Sequence, residues 1–150
     1  MIHTFEPPRV RIAEIAPAPY RALVALGKAV EVDPTLRELV NVRASIVNGC
    51  AYCIDMHTKA ARKGGESERR LYALAAWRDT PFFSDRERAA LALTDATTLI
   101  SDEQVPPAVW DEAAEHFAED ELAQLLWAIT AINAWNRIEI ATRIEPHSSP

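Results

Sequence analysis

The chain has 150 residues, 16 Lys and Arg against 22 Asp and Glu, a net charge of −6 and two cysteines. That length suits one domain with a sizeable core, and an acidic balance spread along the chain argues against nucleic acid or an anionic membrane as the main partner. The two cysteines do not make a disulfide framework, no apolar run reaches membrane-span length, and the first residues lack a signal peptide's pattern, so a cytoplasmic protein is expected.

Only four glycines and no strand-like alternation of any length predict an all-α fold, a bundle of about six to seven helices. Residues 1–16 read as an irregular arm, because Pro7, Pro8 and Pro17 disfavour helix. A first helix is expected from Pro19 to Glu31. Asp33-Pro34 pairs an N-cap with proline at the first helical position and opens a second helix to about Val47. On it Glu38, Val42 and Ser45 share one line, with Asn41 beside it and Leu39 and Ile46 flanking, which leaves Glu38 partly solvated.

Asn48-Gly49 is a turn signal, and a helix follows until Gly64-Gly65 ends it. Ser67 caps a short helix through about Ala76, and Trp77 to Phe83 reads as a loop around Pro81. Ser84 with Glu87 is a capping box for a helix to about Leu99. Another helix starts at Pro106 or Pro107 and runs to about Phe117. The last spans about Asp120 to Thr142, apolar on nearly every side in its middle, as befits a helix central to a core or shared between subunits. Asn133 and Asn136 continue its apolar stripe and need hydrogen-bond partners if buried. Residues 17–143 form the helical domain on this reading, and 144–150 a flexible tail.

The chemistry concentrates in Asn48-Gly49-Cys50-Ala51-Tyr52-Cys53-Ile54-Asp55-Met56-His57, which holds both cysteines and one of the four histidines. At about 100° per residue, a helix opened by Cys50 places Cys50, Cys53 and His57 within about 60° of one another, on a face shared with Ile54 and Ala61. A redox site needs a nucleophilic thiolate, a second thiol in reach and a base, and all three are present. Cys50 lies nearest the helix N-terminus, where the macrodipole favours thiolate, whereas Cys53 has His57 one turn on to take its proton. Helix physics leaves the choice of attacking sulfur open.

Two other readings of the pair stand beside this one. The thiols could be buried structure, as free cysteine often is. Cys50, Cys53, His57 and Glu38 are also ligand types that suit zinc, but structural zinc sites usually draw on two knuckles rather than one and a half helical turns. His3, His116 and His147 sit at expected surface or terminal positions, and Tyr52 and the tryptophans read as packing.

Glu38, eleven intervening residues, Cys50-x2-Cys53, three more residues and His57 together resemble the AhpD-like alkylhydroperoxidase branch of the carboxymuconolactone decarboxylase family. The likeness extends through Thr58 to Arg62 and reappears at Thr80 to Ala92 and Ala131 to Arg137. It implies an all-α fold assembled into trimers or hexamers, and thiol-dependent reduction of hydroperoxides. By position, the resemblance makes Cys53 the peroxide-attacking cysteine, Cys50 the resolving thiol, and His57 with Glu38 the proton relay. It implies no bound cofactor but an external thiol reductant, such as a lipoyl-bearing or thioredoxin-like protein. Some family members carry histidine between the cysteines, where this chain has Tyr52. The same residues would also serve a protein disulfide reductase or redox sensor. A non-enzymatic oligomeric or metal-binding module is the remaining alternative.

Overall fold

The computed structural model describes residues 6–146. Within them the chain is helical throughout: α1 (Ile12–Ile15), α2 (Pro17–Ala29), α3 (Pro34–Asn48), α4 (Ala51–Lys63), α5 (Glu68–Ala73), a 3-10 helix (Leu74–Asp79), α6 (Asp85–Thr98), α7 (Ile100–Glu103), α8 (Pro107–His116) and α9 (Glu119–Thr142). Seven of these α-helices are the ones expected from the sequence; α1 and α7 are single turns.

Local signals set most boundaries. Asp33 accepts from the Leu36 N–H and Ser67 from the Arg70 N–H, while Ser84 and Glu87 form the reciprocal capping box. Two expectations need correction. Pro17 starts α2 rather than preventing it, because a first-turn residue has no intrahelical N–H to lose. The stretch expected as a loop from Trp77 begins inside the 3-10 helix, which is kinked at Ala76.

The arm is not wholly irregular, since residues 12–15 make one helical turn. Upstream of it, the Arg9 N–H donates to the Thr142 carbonyl at 2.8 Å, tying the arm to the end of α9. The expected tail is described only to residue 146, and Ile144 is tied back by an N–H bond to the Glu139 carbonyl at 3.1 Å. His3 and His147 lie outside the described residues.

Two apolar clusters share α3 and α6 as their common wall. Leu36, Val40, Ala89, Ala90, Leu93, Phe117, Leu125 and Ile129 join α3, α6, α8 and α9. Leu39, Val42, Ala61, Leu71, Leu74, Trp77, Phe83 and Leu91 pack beneath α4 and the 3-10 helix. Both rows of α3 are therefore buried, which fixes that helix in rotation about its axis. A polar lock pins its middle: Arg43 donates to both oxygens of Asp95, at 2.6 and 3.1 Å, and Asp95 also accepts from the Trp77 indole at 3.2 Å.

Candidate active site

The site begins with how α3 ends. Gly49 adopts φ 71°, a left-handed conformation that glycine takes without strain. The Gly49 N–H donates to the Ile46 carbonyl and the Cys50 N–H to the Ser45 carbonyl, so the last carbonyls of α3 are satisfied through a tight reversal. Cys50 then serves at once as the N-cap of α4, its sulfur accepting from the Cys53 N–H at 3.3 Å. Cys50 thus stands just before the helix rather than in its first turn. The two helices pack side by side, and their facing rows carry the chemistry.

Cys50 and Cys53 are joined as a disulfide, with Cα atoms 5.3 Å apart, and each is 1% exposed. His57 Nδ1 lies 2.9 Å from Glu38 Oε2 and 3.4 Å from Asn41 Nδ2. The shorter contact fits Nδ1–H donating to the carboxylate, which leaves Nε2 as the basic nitrogen. The Glu38 side chain is only partly solvated, as its flanking residues foretold.

Cys53 and His57 line one cavity of about 380 Å³. Much of its wall is apolar, with Val24, Met56, Ala128, Ile132 and the edge-to-face pair Tyr20 and Trp135, ring centroids 5.2 Å apart, while Lys28, Arg37, Asn41 and Glu139 add polar groups. Cys50 instead lines a groove of about 340 Å³ with Ala51, Ile140 and Arg143. The two cysteines of one disulfide therefore line different cavities. Among the described residues no group of three or more His, Cys, Asp or Glu side chains is arranged to hold a metal ion.

A ladder of amides braces this turn from α9. Asn48 Nδ2 donates to the side-chain oxygens of Asn133 and Asn136, at 2.9 Å each, and Asn136 Nδ2 donates to Ser45 Oγ at 3.0 Å. Ser45 Oγ donates in turn to the Asn41 carbonyl at 2.7 Å. Asn136 thus finds its partners in the residues leading into the dithiol, whereas Asn133 shares Asn48 but donates its own Nδ2 to Thr98 Oγ1 and the Ile129 carbonyl.

Of the four residues singled out in the sequence, Cys50 and Cys53 are joined, His57 is paired with Glu38, and Cys53 and His57 line one cavity. Sequence reasoning missed Glu139, which is 8% exposed and pushed above the usual carboxylate range by burial. Tyr52 lines the Cys53 cavity, and its hydroxyl pKa is raised by burial first and then by Glu139. The signal for Glu139 was present: Leu122, Leu125, Ile129, Ile132 and Asn136 step by three and four residues, and the next step is Glu139.

The described chain is a helical bundle with a Cys-x-x-Cys pair at a helix start and a histidine one turn on, held by a carboxylate. The carboxymuconolactone decarboxylase family model matches residues 17–96, and the chain belongs to that family. The uncharacterized protein YdfG of Bacillus subtilis (strain 168) is 43% identical over 136 residues, 89% of this chain and 92% of that protein. Among solved structures, the Agrobacterium tumefaciens protein ATU0492, of unknown function and suggested as an AhpD antioxidant defence protein, superposes with a TM-score of 0.91. It is 34% identical, covering 95% of this chain and 99% of that one. The debrominase Bmp8 shares the fold, with a TM-score of 0.76 at 20% identity over 90% of this chain and 74% of its own.

Proposed function

We propose that this chain is a dithiol peroxidase that reduces organic hydroperoxides and is recharged by an external thiol, with no bound cofactor. The observation that carries the reading is that Cys53 shares its cavity with His57, while Glu38 holds the far nitrogen of that imidazole at 2.9 Å. A base is thereby oriented within the cavity that holds the Cys53 thiol, out of open water.

The cycle balances in three steps. The Cys53 thiolate attacks the O–O bond; the distal oxygen stays on sulfur as a sulfenic acid, and the alkoxide leaves and takes a proton as the alcohol. Cys50 then displaces water from the sulfenic acid to form the disulfide. A dithiol reductant reopens it by exchange, becoming a disulfide itself. The apolar part of the cavity wall suits a hydroperoxide with a hydrocarbon body. A lipoyl-bearing or thioredoxin-like protein suits the reductive step, and the cytoplasm, where thiols stay reduced, suits the cycle.

Sharing the cavity with His57 supports Cys53 as the attacking sulfur. Cys50 gains the helix N-terminus but lines the groove, which His57 does not. The test is initial-rate consumption of cumene hydroperoxide with dihydrolipoamide or dithiothreitol as donor. Wild-type protein should turn over and Cys53→Ser should fall to background. Full activity in Cys53→Ser would overturn the assignment.

A further inference from the structure

On this reading His57 and Glu38 serve Cys53, but the resolving step needs a proton to leave Cys50, which lines a different groove. Among the described residues, the one common to the lining of the Cys53 cavity and of the Cys50 groove is Glu139 of α9. Glu139 is 8% exposed as a residue, and its buried Oε2 has no hydrogen-bond partner among the described residues. A buried acceptor left unsatisfied costs stability, so its retention calls for a role.

We propose that Glu139 is the proton shuttle of the resolving step, taking the proton from the Cys50 thiol and returning it to the hydroxyl that leaves Cys53. This rests on the peroxidase reading. The step balances: Cys53–S–OH and Cys50–SH give the Cys50–Cys53 disulfide and water. The S–O bond breaks and the S–S bond forms; the sulfenic sulfur is reduced and the thiol sulfur oxidised. Glu139 begins and ends as carboxylate. Burial holds its pKa above the ordinary carboxylate range, closer to that of the group it must relieve.

The other titratable groups around it are identified. Tyr20 and Lys28 of α2, Arg37 of α3, and Tyr52 and His57 of α4 share its cavity. Arg143 and Glu145 share its groove, with Arg143 also 3.7 Å from Glu6. None of these lines both surfaces.

The test isolates resolution from peroxide chemistry. Reduced protein is mixed with 5,5′-dithiobis(2-nitrobenzoate) in a stopped-flow instrument across a pH series. The first thionitrobenzoate reports attack on the reagent, and the second reports Cys50 closing on Cys53; Cys50→Ser should release only the first. Glu139→Gln should slow the second release by about tenfold or more, flatten its rise with pH, and leave the first within about twofold. Glu139→Asp, which still titrates, should recover part of the rate. An unchanged second release in Glu139→Gln, or equal slowing in Gln and Asp, would overturn the proposal. Slow peroxide turnover in wild type with these results intact would instead count against the peroxidase reading alone.

Discussion

His57 Nδ1 and Glu38 Oε2 stand 2.9 Å apart across the α3–α4 pair, though the two residues are 19 apart in the chain. The contact fixes which imidazole nitrogen is free to move a proton. His57→Ala should therefore lower kcat/KM for an organic hydroperoxide by about 10²-fold, the usual worth of a positioned acid–base group. Glu38→Gln, which keeps the shape but loses the charge, should lower it by less. Steady-state rates between pH 5 and 9 check both.

The amide ladder predicts a stability effect. Asn136 is fully buried between Asn48 and Ser45. Asn136→Leu strands both partners and should cost about 1–3 kcal/mol in urea unfolding. Asn48→Ala should also loosen the entry to the dithiol, read as faster hydrogen exchange at residues 49–53.

Glu139 predicts stability with an inverted pH dependence. Its folded pKa is raised, so folding favours the protonated form. Stability from this group is complete below the ordinary glutamate range and is lost as pH rises through the raised value. Glu139→Gln should therefore raise Tm at neutral pH and change it little near pH 4. Glu87 runs the other way. Burial pushes its pKa up, but hydrogen bonds from Arg70 and Ser84 outweigh that and hold it below the usual range. Its contribution is present above the unfolded glutamate pKa and fades as pH falls through the lower folded value. Thermal melts of Glu139→Gln and Glu87→Gln across pH check both signs.

Assembly is the fourth prediction. α9 buries one side in the core yet leaves Trp127 53% and Ile140 43% exposed. Tryptophan is enriched at protein contact surfaces. Light scattering should find a trimer or hexamer in wild type, and Trp127→Glu should reduce its mass.

The legible part of this structure was local. Asp33-Pro34, Asn48-Gly49, Gly64-Gly65 and the Ser84/Glu87 box each act within one turn, so they could be read without tertiary knowledge. Glu38 and His57 were reachable because each helix has a fixed period, and a shared apolar face forces the rows together. What stayed hidden depends on packing at a distance. Asp95 looks like any helical acid until α3 supplies Arg43 and the 3-10 helix supplies Trp77. Glu139 continues the buried stripe of α9, but its place beside the α3–α4 turn is not marked in the sequence. That it lines both the Cys53 cavity and the Cys50 groove follows from where α9 crosses that turn, which no spacing in the sequence encodes.

The most direct test is a single-turnover trap. Reduced Cys50→Ser is given one equivalent of organic hydroperoxide with dimedone present, and the adduct is mapped by mass spectrometry. A dimedone adduct on Cys53, together with a Cys50–Cys53 disulfide in wild type treated without the trap, is the predicted result. No adduct on Cys53, with oxidation instead on Cys50 in the Cys53→Ser protein, would contradict it.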